Sequence, residues 1–283
     1  LGIGVRLIRR VDAPDGHGPG NGQYALQKLL RGAAISGLEI GGELQSGEVP
    51  WVWSWEDAWI AVRAAVRGEP FLAGPNVLFA DSRNPCGRVE ERYICEAAAC
   101  HVLFTESPWY ADLIRSQLGP RNAAPVITWR YPIDPIPEGP LEPEYDLLIY
   151  SKSGHRRRLL RDLGQAFPRS RIFIYGHYRR AYLVEAARRS RCCAYLSDDD
   201  RGPLALAEIL LAGCPAVGLP RGAPWIDPAA NGQYVEVLTA TAIGAAVRAT
   251  AALDRQAIRT QALARFDGRE TIAAIGAAIE RLA

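Results

Sequence analysis

The sequence predicts an α/β protein made of two doubly wound parallel-sheet units in succession. Three observations predict it. Short apolar runs alternate with helix-period segments along most of the chain; a stretch with four prolines, Tyr131 to Pro140, interrupts that alternation near the middle; and the alternation then restarts. With 283 residues there is room for two units of about 100 to 150 residues each.

Taken in order, Ile3 to Ile8 is an apolar run that reads as a strand, and the glycine-rich loop Gly16 to Gly22 follows it. A helical pattern then runs from Gln23 to about Ala34. Trp51, Trp53 and Trp55 alternate at strand period, with Trp59 beyond them; such rings can stack on a sugar or base of an acceptor, or fill a core. Val77 to Ala80 reads as a buried strand, Val89 to Ala99 as a helix and His101 to Thr105 as another strand. Ser107 before Pro108 places a capping residue ahead of proline at the first helical position, opening a helix to about Leu118. The prolines of 131–140 disfavour helix and mark the linker, so the expected domains are 1–135 and 136–268.

Beyond the linker the expected elements are strand Asp146 to Ser151, helix Arg157 to Ala166, strand Arg171 to Tyr175 and helix Tyr182 to Ser190. Strand Cys192 to Leu196, helix Pro203 to Ala212 and strand Ala216 to Leu219 follow. From Arg269 to Leu282, Ile272, Ile275 and Ile279 keep helical spacing, so 269–283 is expected to be a closing helix that could return to the first domain.

Composition narrows the function classes. Hydrophobic residues at 48% and charged residues at 23% suit a chain that buries a core and exclude a disordered one. There is no run of about 18 apolar residues, and Leu1 to Arg6 reads as a strand and not as a leader, so a cytoplasmic location is expected. The six cysteines form no CxxC pair and the four histidines lack ligand spacing, which points to buried thiols without zinc or disulfides. Residues 1–140 hold 13 Lys+Arg against 16 Asp+Glu (13 − 16 = −3) and residues 141–283 hold 20 against 15 (20 − 15 = +5). The second half is therefore the better host for an anionic ligand.

The stretch from Ser197 to Val217 carries the most chemistry. A strand ends in the acidic loop Asp198-Asp199-Asp200, Gly202-Pro203 opens a helix, and Glu208 sits among Leu204, Leu206, Ile209 and Leu211. A carboxylate in such company needs a partner, either another side chain or the hydroxyls of a ligand. Loops at the carboxyl ends of parallel strands are where open α/β sheets bind ligands, and a helix N-terminus can hold a phosphate.

This stretch resembles the donor-site signature of GT-B glycosyltransferases of the retaining, glycogen-synthase-like kind: an acidic residue, seven residues, then glutamate, continuing into Gly213-Cys214-Pro215-Ala216-Val217. Aspartate stands at position 200 where the family usually carries glutamate. The resemblance implies an α/β GT-B fold, two Rossmann-like doubly wound domains facing across a cleft, with an N-terminal acceptor-side domain and a C-terminal nucleotide-sugar-binding one. It implies that Asp200 lies near the transferred sugar and that Glu208 holds the ribose. Lys152 and Arg157, at the end of the first C-terminal strand, are similar to the basic pair that meets the donor diphosphate. Gly176 resembles the glycine at which the base side of the pocket begins, and Gly18 and Gly20 belong to a loop similar to the one that approaches the donor phosphates. Asp81 stands where many relatives carry a histidine near the reacting carbon.

The activity so implied is transfer of a sugar from a nucleoside diphosphate sugar, with uridine the commonest nucleotide, to a hydroxyl acceptor with retention and without metal or further cofactor. A glycan, a lipid, a small metabolite or a hydroxymethylated base in phage-type DNA stays open as acceptor; arginines at 156–158, 179–180 and 188–191 could meet a nucleic-acid backbone, whereas the −3 of the first half argues against it. A sugar-nucleotide epimerase and a non-catalytic carbohydrate- or nucleic-acid-binding protein are the rival readings.

Overall fold

The computed structural model describes residues 4–13, 21–54, 57–76, 100–118, 126–137, 139, 142–152 and 156–282. Two compact units emerge. The first holds the described residues up to Asp12, those from Gln23 to Arg130 and those from Gly268 onward; the second holds the remainder, chiefly Tyr131–Asp267. The chain leaves the first unit at the head of the proline-rich stretch, where residues 131–137 form no helix or strand.

In the first unit, β1 (Val5–Leu7), β2 (Leu38–Ile40), β3 (Val49–Ser54), β4 (Phe71–Asn76), β5 (Cys100–Thr105) and β6 (Val126–Thr128) form one parallel sheet in the order β2-β1-β3-β4-β5-β6. Helices α1 (Gly22–Ala33), α2 (Ala58–Arg67) and α3 (Pro108–Leu118) accompany the strands. Alternation along β3 explains how both sheet faces become dry. Val52 joins Phe71, Ala73, Leu103 and the Ala58, Ala61 and Ala64 stripe of α2, while Trp51 and Trp53 point to the opposite face. There they pack with Phe104 and Trp129, at ring separations from 4.7 to 6.1 Å, and the Trp51 indole donates to the Gly74 carbonyl at 2.9 Å.

The second unit places β7 (Leu147–Ser151), β8 (Ser170–Ile174), β9 (Cys193–Leu196), β10 (Ala216–Gly218) and β11 (Gly232–Tyr234) in the parallel order β11-β10-β9-β7-β8. This is a doubly wound arrangement whose strand order reverses between β7 and β9. Its helices are α4 (Arg157–Ala166), α5 (Arg180–Arg188), α6 (Leu204–Leu211), α7 (Ala240–Ala249) and α8 (Arg255–Arg265). Leu147, Ile149, Ala194 and Leu196 face Leu163 of α4 and Ile243 and Val247 of α7. The alternate residues Tyr150 and Tyr195 are cross-strand partners on the other face, stacked 4.9 Å apart.

The last helix, α9 (Arg269–Glu280), belongs to the first unit; there Thr271 donates to the Arg130 carbonyl at 2.9 Å. Strand Val77 to Ala80 and helix Val89 to Ala99 lie outside the described residues. Among the described residues no helix is long and apolar enough to cross a membrane.

Candidate active site

The point where the strand order of the second unit reverses is flanked by the carboxyl ends of β7 and β9, and the signature residues gather there. Lys152 follows β7 directly, its backbone N–H donating to the Leu196 carbonyl at the end of β9 (3.0 Å). Its Nζ lies 2.6 Å from Oδ1 of Asp200 and 5.4 Å from the centre of the Tyr175 ring. Asp200 is 4% exposed, and its Oδ2 accepts from the Tyr195 hydroxyl at 2.9 Å.

Two contacts hold the acidic loop in place. The Asp200 N–H donates to the Arg221 carbonyl at 2.8 Å, and Ser197 Oγ donates to the Asp199 carbonyl at 2.9 Å. The loop that carries Arg221 comes this close because residue 222 is glycine; a Cβ there would collide with the Ser197 carbonyl.

Glu208 lies one turn into α6 with no exposed surface. Its Oε1 accepts from Nε of Arg180 at 2.6 Å. Arg180 is the first residue of α5, its side chain is 31% exposed, and its Nη2 reaches toward the Asp134 carbonyl at 3.5 Å. Thus the buried carboxylate that the sequence left to either a side chain or a ligand has a guanidinium partner within its own unit. Sequence reading missed Arg180, whose only signal was membership of the Arg179-Arg180 pair among many arginines.

Between the two acidic positions lies a buried phenol cluster. Tyr150 and Tyr178 hydroxyls are 3.3 Å apart, and the Tyr178 ring meets Phe173 edge-on at 5.7 Å. Burial holds all three phenols, Tyr150, Tyr178 and Tyr195, protonated far above the usual tyrosine range, with the charge of Asp200 adding to the effect at Tyr195 and Tyr150 and that of Glu208 at Tyr178. They are hydrogen-bond donors at any working pH.

The remaining expected site residues are placed as follows. Gly176 ends the turn after β8 at φ +78°, with open space where a side chain would project. Gly202 precedes Pro203 and the first turn of α6, and no side chain caps that turn. Arg157 stays exposed at the start of α4; its neighbour Arg156 turns instead to the acidic loop, pairing with Asp198. Trp51 and Trp53 require a correction. Both are fully enclosed (0% exposed) in the aromatic core of the first unit, so neither ring offers a stacking platform for an acceptor. Asp81, Gly18, Gly20 and Trp55 lie outside the described residues. Among the described residues no group of three or more His, Cys, Asp or Glu is arranged to hold a metal ion.

No protein-family model matches the sequence, and no curated protein matches it. Solved structures do resemble it. Sucrose-phosphate synthase (tll1590) from Thermosynechococcus elongatus matches with a TM-score of 0.64 at 13% identity, over 98% of this chain and 98% of that one. AviGT4, a glycosyltransferase involved in avilamycin A biosynthesis, matches with a TM-score of 0.51 at 16% identity over 99% and 98%. A Listeria monocytogenes protein described as a UDP-N-acetylglucosamine 2-epimerase matches with a TM-score of 0.56 at 10% identity over 99% and 98%. These likenesses and the two parallel sheets give the chain the two-domain GT-B fold, each domain Rossmann-like.

Proposed function

We propose that the protein is a glycosyltransferase that moves a sugar from a nucleoside diphosphate donor to a hydroxyl acceptor with retention, binding the donor at the carboxyl end of the second sheet. One observation carries the reading: Lys152, Asp200 and Glu208, which the family resemblance assigns to one donor, stand around the strand-order reversal of a single sheet. The bond between the anomeric carbon and the diphosphate oxygen breaks, the electron pair leaving with that oxygen, and the bond to the acceptor oxygen forms as that hydroxyl gives its proton to water. The departing diphosphate gains charge. Lys152, 30% exposed, and the uncapped first turn of α6 after Gly202 and Pro203 are the groups suited to receive it. Asp200 is assigned to the sugar, and Glu208, itself fully buried, to the ribose side through the partly exposed Arg180 that it holds; UDP is the favoured nucleotide.

The test is release of nucleoside diphosphate from UDP-, GDP- and ADP-sugars, with and without pooled acceptors that include glycans, lipids and hydroxymethylcytosine DNA, and with Glu208→Ala as control. Acceptor-dependent release that the variant loses supports the proposal. No release from any donor by folded protein overturns it. The second reading is a sugar-nucleotide epimerase, favoured by the structural likeness to the epimerase-described protein; conversion of the donor sugar without any acceptor would select it.

A further inference from the structure

We propose that Tyr195 is a positioning residue of the donor site: its hydroxyl fixes Asp200, and Asp200 fixes the Lys152 ammonium in the place where it meets the diphosphate. This inference rests on the donor-site reading above and adds a task for Asp200 to the one the resemblance implies.

The geometry is a short relay. Tyr195 is 1% exposed on β9, and its ring is stacked on that of Tyr150, its partner across β7. A phenol gripped on its face in this way has little freedom to redirect its hydroxyl. That hydroxyl meets Oδ2 of Asp200 at 2.9 Å, leaving Oδ1 to face Nζ of Lys152 at 2.6 Å. Burial keeps the phenol protonated and therefore a donor to the carboxylate. The Asp200 backbone is itself tied to Arg221 and the Lys152 backbone to Leu196, so both ends of the ion pair hang from fixed main chain. Of the two side chains only that of Lys152 is partly open, at 30% exposure against 2% for Asp200.

A lysine on its four-carbon stem loses rotamer freedom when immobilised. Pairing with Asp200 removes much of that cost from the binding step. The aspartate fits this role. A glutamate at 200 would carry its carboxylate one methylene further from the backbone that sets the 2.6 and 2.9 Å contacts.

The test uses the full chain and compares Kd values by calorimetry for UDP, GDP and ADP with those for the matching monophosphates. Tyr195→Phe is expected to weaken the best-bound diphosphate about 10-fold while changing its monophosphate less than about 2-fold. In a Lys152→Met background the same substitution should leave the diphosphate-to-monophosphate ratio unmoved, because its effect passes through the ammonium. If Tyr195→Phe does not fold, Asp200→Glu, which keeps the charge and breaks the spacing, should lower the ratio similarly. A ratio unchanged from wild type in a protein that binds the diphosphate overturns this inference alone. Wild-type protein that binds none of the nucleotides overturns the donor-site reading and this inference with it.

Discussion

Arg180 and Glu208 are joined by a 2.6 Å contact between a side chain that is 31% exposed and a carboxylate with no exposed surface. The asymmetry decides what happens when either partner is removed. Arg180→Ala takes the guanidinium from a carboxylate inside the fold, whereas Glu208→Gln leaves a guanidinium that water can still reach. We expect Arg180→Ala to cost roughly 2–4 kcal/mol in urea unfolding and Glu208→Gln roughly 1–2. The double variant should be less destabilised than the sum of the two, with a coupling of about 1–2 kcal/mol. Simple additivity would show that the pair is not coupled.

Gly222 sets the position of the acidic loop. Gly222→Ala must push the Arg221 segment away from Ser197, taking with it the 2.8 Å acceptor of the Asp200 N–H. A destabilisation of roughly 1–3 kcal/mol is expected, together with weaker nucleoside diphosphate binding. Unchanged affinity in the folded variant would mean that the loop is held without this contact.

The tryptophans of the first unit should separate sharply by thermal or urea unfolding. Trp51 is fully enclosed, so Trp51→Ala is expected to cost about 3–5 kcal/mol. Trp59 is 56% exposed beneath Arg63 at 5.7 Å, and Trp59→Ala should change stability by no more than about 0.5 kcal/mol.

Alkaline pH should unfold the protein through its buried acids. Burial pushes the Cys192 thiol up from 9.0 to about 12. Between those values the unfolded chain has released the proton that the native chain retains, so stability falls as pH rises, by about 1.4 kcal/mol per pH unit for this thiol. Cys193, Cys214 and the three phenols add to the same slope. Unfolding free energies should be flat across pH 7 to 8 on this account and drop above about pH 9; Cys192→Ser variants titrated in parallel should show a shallower fall. Cys192, Cys193 and Cys214 should also react slowly with thiol reagents at about pH 8, read site by site by mass spectrometry, since all three are buried as well as protonated.

Arg255 supplies a fifth test. Its part-buried guanidinium donates to three carbonyls, Gly213 beyond α6 and Ala187 and Arg188 at the end of α5, at 2.7 to 3.1 Å. It thereby places positive charge on the negative ends of two helices. Arg255→Lys should not rescue, because one ammonium cannot span three divergent carbonyls, and a loss of roughly 1–3 kcal/mol is expected for Lys as for Met. Full stability in Arg255→Lys would show that the charge alone matters.

Much of the second unit was legible because periodicity is local. Helix Arg157–Ala166 occupies the residues its pattern marks, and β7, β9 and α6 lie within two residues of their expected bounds. The first unit was less so. Strand β4 contains glycine and proline within Phe71–Asn76, and α2 turns a narrow stripe of alanines to the core, so neither announces itself by a strong apolar period. The tryptophans had the right period for a strand, yet alternation names only two faces and does not say which of them another layer covers.

By itself the sequence determined the α/β class, the proline-rich interruption and the spacing that links Asp200 to Glu208, because each is written in neighbouring residues. The tertiary structure decided the partners: Lys152 with Asp200 across 48 positions, Arg180 with Glu208 across 28, and Tyr195 as the hidden donor behind the first pair. In an arginine-rich chain many cations could neutralise a buried carboxylate. Only the winding of β7, β8 and β9, which brings two strand ends and two helix starts to one end of the sheet, selects the ones within hydrogen-bond reach.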